Sequence, residues 1–120
     1  MGAPEMDIAI ETGMQGTWHV LAVTGEIDLY TAPALRDALA NTPATSLAVD
    51  LRGVRFMDSM GLGVLIGARR RATEGERGFA LICGEGPVLR VLDVSGLTRV
   101  FDVVASPAEL PDAGQGNAGT

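Results

Sequence analysis

The chain has 120 residues, a formal net charge of −6 and 47% hydrophobic residues. That length suits one domain around one core, with a globular rather than a disordered composition. A single cysteine excludes an internal disulfide and any multi-thiolate metal site, and no stretch approaches the ~20 unbroken apolar residues of a membrane-crossing helix.

The opening "MGAPEMD" lacks a basic start and an apolar run, so it does not read as a secretory signal. Met6 stands where an N-myristoylation motif requires Ser or Thr. A reducing, cytoplasmic location is the expectation. "DIAIET" (7–12) and "TWHVLAVT" (17–24) read as two strands of an antiparallel hairpin around the turn "GMQG". His19, the only histidine, lies within the second strand and reads as structural, since nothing beside it supports a catalytic pair.

"GEIDLYTAPALRDALAN" leads into a helix in which Thr31 can cap, Pro33 fits the first turn and Leu35, Ala38 and Leu39 form an apolar stripe. "SLAVDL" (46–51) is a near-continuous apolar run, which predicts a strand at the centre of the sheet. A turn is expected at "RGV" (52–54), followed by "RFMDSMGLGVLIGARRR". Here Asp58 and Ser59 are both good N-cap residues for a helix running to about Thr73. Leu62, Leu65, Ile66 and Arg69 share one side of it, and Gly63 and Gly67 form a second stripe suited to close packing. Arg69–Arg71 splay around a helix end instead of forming a basic stripe, and the chain is acidic with few aromatics. Direct nucleic-acid binding is not expected.

Gly75 and Gly78 stop the helix, and "GFALIC" (78–83) reads as a buried strand holding Cys83 as an inert thiol. A short helix opens at Pro87 and closes near Gly96, and "RVFDVV" (99–104) is the last expected strand. "SPAEL" carries a capping-box pattern with Ser106 at N-cap and Glu109 at N3, and a loose tail follows Pro111. Strands alternating with helices give an α/β domain: a mixed sheet covered by helices, with an N-terminal antiparallel hairpin.

Three functions fit a serine at a glycine-rich helix mouth. A dinucleotide turn fails because G-x-G-x-x-G would need glycine where Ile66 stands, and Asp58 would repel phosphates. A serine nucleophile lacks the G-x-S-x-G elbow and a base. A phosphorylatable serine at a binding surface remains, because phosphorylation adds roughly −1.5 to −2 charge at one point. On the residues alone, Ser59 as a plain N-cap is the default, and the phosphoacceptor stays open beside it.

Three blocks carry a resemblance that bears on this choice. "VTGEIDLYTAPALRDAL" (23–39), "LAVDLRGVRFMDSMGLGVLIGARRRA" (47–72) and "VLRVLDVSGLTRVFDV" (88–103) stand in the order and spacing of the STAS domains. The chain resembles the bacterial anti-sigma factor antagonists within that family. The resemblance implies a STAS domain over residues 1–104 (core 7–104), followed by a short helical turn and a flexible tail over 105–120. It implies that the unphosphorylated domain binds an anti-sigma factor that is also an ATP-dependent serine kinase, freeing a sigma factor. The kinase, which holds the ATP, then phosphorylates the domain and releases it, and a PP2C-type phosphatase resets it.

Carried onto this chain, the phosphoacceptor is Ser59. Glu26, Asp28, Asp58, Ser59, Met60, Gly61, Leu62 and Gly63 form the partner-binding rim. No catalytic residue, metal or cofactor of the chain's own is implied. The family commonly has a second hydroxyl after the acceptor, where this chain has Met60, which leaves Ser59 the only hydroxyl of the signature. The resemblance also implies an alternative: an accessory subunit of a lipid or anion transporter complex.

Overall fold

A computed structural model describes residues 8–111 of the chain; the expected tail beyond them, and Asp7 at the head of the hairpin, lie outside the described residues. The first strands, β1 (Ile8–Gln15) and β2 (Trp18–Ile27), pair antiparallel with Gln15 opposite Trp18. The turn is therefore Gly16–Thr17 and not "GMQG", whose first three residues extend β1. Gly16 has φ +61°, the left-handed geometry that a two-residue hairpin turn needs and that glycine adopts without steric cost.

After β2 come α1 (Ala32–Ala40), β3 (Ser46–Met57), α2 (Ser59–Glu74), β4 (Gly78–Ile82), α3 (Pro87–Val94) and the two-residue β5 (Val103–Val104). The sheet order is β1-β2-β3-β4-β5, with every pair after the first parallel. β3 is thus central, as its apolar run predicts. Parallel neighbours in sequential order, joined by same-handed crossovers, place all the helices on one face. The core agrees: Leu35 and Leu39 of α1, Val64, Leu65 and Ala68 of α2, and Val88 and Leu92 of α3 pack with Leu21, Val49 and Leu81.

The opposite face carries a smaller cluster of Trp18, Ala48, Ala80 and Ile82, with Leu110 packed against it. The Trp18 indole Nε1–H donates to the Pro111 carbonyl at 2.6 Å, which ties the end of the described chain to the start of β2.

Four sequence expectations are corrected. β3 does not turn at 52–54 but runs on to Met57. Gly53 serves the sheet: a Cβ there would sit 2.5 Å from Thr24 Cγ2. The pairing slips by one residue of β3 between Ala22 and Thr24 and again between Gly25 and Glu26, so the extra length is taken up on β3. The buried stripe of α2 is Gly61, Val64, Leu65, Ala68 and Ala72, so Leu62 and Ile66 lie at its edge and Arg69 lies outside it. The expected strand 99–104 shrinks to Val103–Val104, because Leu97–Arg99 forms a 3₁₀ turn after the left-handed Gly96 and Phe101 turns inward onto Phe79. In "SPAEL", Ser106 makes no side-chain cap; Glu109 alone reaches back, accepting from the Ala105 N–H at 3.1 Å over a 3₁₀ turn.

Candidate functional site

The carboxyl ends of β2 and β3 lie side by side, with Glu26 opposite Phe56 and Ile27 opposite Met57. In an open α/β sheet this is the end where binding sites gather, since loops and helix N-termini converge there. Three pieces of the chain meet: the loop Asp28–Thr31, the end of β3, and the mouth of α2.

The loop is built by Asp28 and Thr31. Asp28 Oδ1 accepts from the backbone N–H groups of Tyr30 (2.9 Å) and Thr31 (3.1 Å), and the Thr31 hydroxyl donates to the Glu26 carbonyl at 2.8 Å. Thr31 stands at the N-cap position of α1, but its side chain does not cap the helix; it accepts from the Asp28 N–H at 2.9 Å. These bonds hold the loop closed and push Leu29 and Tyr30 into solvent, with Tyr30 82% exposed.

The mouth of α2 separates two residues that the sequence left equivalent. Asp58 is the N-cap, with extended backbone, and its Oδ1 accepts from the N–H groups of Met60 (2.9 Å) and Gly61 (3.4 Å). Ser59 is the first helical residue; it is exposed, and among the described residues its hydroxyl has no hydrogen-bond partner. The plain-cap reading of Ser59 therefore falls, since Asp58 does that work.

The Asp58 N–H donates to the Ile27 carbonyl at 3.1 Å, which joins the α2 mouth to the end of β2. Gly61 is required by this junction: a Cβ there would lie 2.6 Å from Met57 Cγ and 2.7 Å from Ile27 Cγ2. Gly63 and Gly67 are not the close-packing stripe expected of them. A Cβ at Gly63 would meet nothing within 4 Å, and one at Gly67 would meet only the Arg71 guanidinium at 3.5 Å.

The structure thus brings Glu26, Asp28, Asp58, Ser59, Met60, Gly61, Leu62 and Gly63 to one end of the sheet, though not in one manner. Gly61 is buried, Leu62 is half-buried, and Ser59, Met60 and Gly63 face outward. Asp28 is engaged within its own loop. Glu26 meets Arg55 at 3.6 Å, a long contact between two side chains open to water, and such pairs add little.

Sequence reasoning missed Leu29, Tyr30, Phe56 and Arg55. The first three add exposed apolar surface to the rim on which Met60 stands. The signal was present in "DLYT": two bulky apolar residues in a loop too short to fold them back under a helix. Large exposed apolar groups gathered at one end mark an interaction surface.

Two further titratable features serve the fold. Cys83 is buried, and burial, with Asp50 adding to it, pushes its thiol up from its ordinary value. Arg52 clamps the buried Asp50 through Nε (3.0 Å) and Nη2 (2.8 Å), and that hydrogen-bonded carboxylate raises the guanidinium further above its already high value. Among the described residues no group of three or more His, Cys, Asp or Glu side chains is placed to hold a metal ion, and no helix is long and apolar enough to cross a membrane.

Comparison with known proteins agrees with this fold. Residues 10–105 match the family model described as "Mlab, STAS domain". The anti-sigma-B factor antagonist of Listeria monocytogenes is 33% identical over 102 residues, covering 82% of this chain and 90% of that protein. A crystal structure of an anti-sigma factor antagonist from Mycobacterium paratuberculosis superposes with a TM-score of 0.77 at 30% identity, covering 97% of each chain. The antagonist SpoIIAA in its unphosphorylated form shares the fold, with a TM-score of 0.70 at 24% identity over 90% of this chain and 97% of that one.

Proposed function

The chain belongs to the STAS domain family, and from that membership we propose that it is an anti-sigma factor antagonist switched by phosphorylation of Ser59. The unmodified rim binds an anti-sigma factor with serine kinase activity, so that a sigma factor is set free. Transfer of phosphate from the kinase's ATP to Ser59 ends the complex, and a PP2C-type phosphatase restores it. The chain acts in this cycle as a docking partner and a phosphate acceptor, with the chemistry supplied by the enzymes around it.

The observation that carries this reading is the division of labour at the α2 mouth. Asp58 satisfies the helix, which leaves the Ser59 hydroxyl in solvent with no structural duty. Such a hydroxyl can be modified without first breaking the fold.

The electrostatics supply the off-switch. Asp58 already occupies the N–H groups of Met60 and Gly61, so a phosphate on Ser59 adds charge beside a carboxylate instead of filling an empty anion site. Any acidic group that a partner brings near would meet it. At an effective dielectric of about 20, one unit charge about 4 Å from a like charge costs on the order of 4 kcal/mol. That is nearly three decades of affinity.

The test is mass spectrometry of the chain after incubation with ATP and each anti-sigma factor kinase of its source organism. Phosphate on Ser59, absent from Ser59→Ala, supports the reading. Co-purification with a permease and an ATPase, with Ser59 unmodified, would support the accessory-subunit alternative instead.

A further inference from the structure

Beside Ser59 the chain places a residue that introduces a second chemistry. Met60 is 40% exposed, and its backbone N–H is fixed by Asp58 Oδ1 at 2.9 Å, so its side chain starts from a held point on the rim. Met57, three residues earlier, is only 4% exposed, and its thioether packs where a Gly61 Cβ would go. Of these two methionines at the site, only Met60 is exposed to solvent.

We infer that Met60 is an oxidation site that gates partner binding independently of Ser59; this rests on the docking role proposed above for the rim. The oxidant is a hydroperoxide. The methionine sulfur gives up two electrons and gains the peroxide's distal oxygen, the O–O bond breaks, and water leaves when the oxidant is hydrogen peroxide. The product sulfoxide replaces a flexible apolar group by a polar, chiral one. Free in solvent, the new oxygen is hydrated and the fold is undisturbed. Docked against a partner matched to a thioether, it loses that water with no donor provided for it, and the complex weakens. Methionine sulfoxide reductase, taking two electrons and two protons from a dithiol that becomes a disulfide, returns the sulfur to the thioether and releases the oxygen as water, so the gate is reversible. An antagonist of this kind stops releasing its sigma factor under peroxide even while Ser59 is unphosphorylated.

The structure supplies an internal control. Met14 is more exposed, at 58%, but pairs with His19 near the start of β2, at the end of the sheet away from Ser59. Its oxidation leaves the rim untouched.

The experiment treats the full chain with hydrogen peroxide, locates added oxygen by peptide mass spectrometry, and titrates the product onto the kinase that modifies Ser59. Wild type is expected to bind at least tenfold more weakly once Met60 carries oxygen, and to recover after methionine sulfoxide reductase. Met60→Leu, whatever its untreated affinity, should show no further change with peroxide, Met14→Leu should lose affinity as wild type does, and Met60→Gln should bind more weakly than Met60→Leu without any oxidant. Full affinity with Met60 oxidised, or an equal peroxide-induced loss in Met60→Leu, overturns the inference while leaving the docking role standing. If untreated wild type binds no kinase at all, the docking role fails and takes the inference with it.

Discussion

The backbone N–H of Asp58 lies 3.1 Å from the carbonyl oxygen of Ile27, so the last residue of β2 and the first turn of α2 are one structural unit. Through this bond the loop carrying Leu29 and Tyr30 is held at a fixed distance from Ser59. A rim assembled from two distant parts of the chain keeps its shape because both parts end on the same hydrogen bond.

The Asp58 side chain is expected to matter for stability apart from any partner. Asp58→Ala removes the acceptor for two helix N–H groups and should cost about 1 kcal/mol in urea denaturation. Asp58→Asn keeps an acceptor of the same shape and should retain most of that stability. If Asn restores the fold but not kinase binding, the charge itself is read by the partner.

The two glycines of "GLG" should respond in opposite directions. Gly61→Ala forces a methyl group against Met57 and Ile27; Met57 can give way more readily than the branched Ile27, and a loss of ~1–3 kcal/mol is expected. Gly63→Ala enters open space in a helix and should stabilise by up to about 1 kcal/mol. Thermal melts of both variants check this. Weaker binding by a more stable Gly63→Ala would locate a close approach of the partner's backbone.

Tyr30→Ala and Phe56→Ala remove side chains that stand in solvent, so stability should change by no more than about 0.5 kcal/mol. If these residues anchor the partner, each truncation should weaken binding by at least ~1 kcal/mol. Calorimetric titration against the kinase, with Met14→Ala as the exposed control, separates the two effects.

Alkaline pH should reach the fold through Cys83. Its thiol is raised by burial and by Asp50, so the unfolded chain gives up this proton first, from about pH 8.5 upward. Over that window the folded state binds more protons than the unfolded one, and stability falls as pH rises towards the folded value. The contribution is fully present below the unfolded value. Urea midpoints from pH 7 to 10 should decline more steeply for wild type than for Cys83→Ala, and alkylation of the native thiol at pH 8 should be slow.

The layout of the sheet was legible because burial dictates sequence so strongly at its centre: "SLAVDL" and "FALIC" have no alternative to interior strands. What escaped were choices that composition leaves balanced. Asp58 and Ser59 cap helices equally well by preference; the extended backbone of Asp58 and its bond to Ile27 decide between them. Gly53 looks like a turn residue until Thr24 is found beside it across the sheet. Gly63 looks like a packing residue until nothing is found beside it. "RVFDVV" has strand composition throughout, but Phe101 is drawn into the core against Phe79 and only Val103–Val104 reach the edge of β4. At the site, the motif residues were readable one by one, while the apolar rim of Leu29, Tyr30 and Phe56 exists only once β2 and β3 end together.

The most direct measurement compares the affinity of one anti-sigma factor kinase for the unmodified chain and for the same chain carrying phosphate on Ser59, prepared enzymatically and checked by intact mass. The unmodified chain should bind, and the phosphorylated chain should bind at least a hundredfold more weakly with its circular-dichroism spectrum unchanged. Equal affinity for the two forms would contradict the switch.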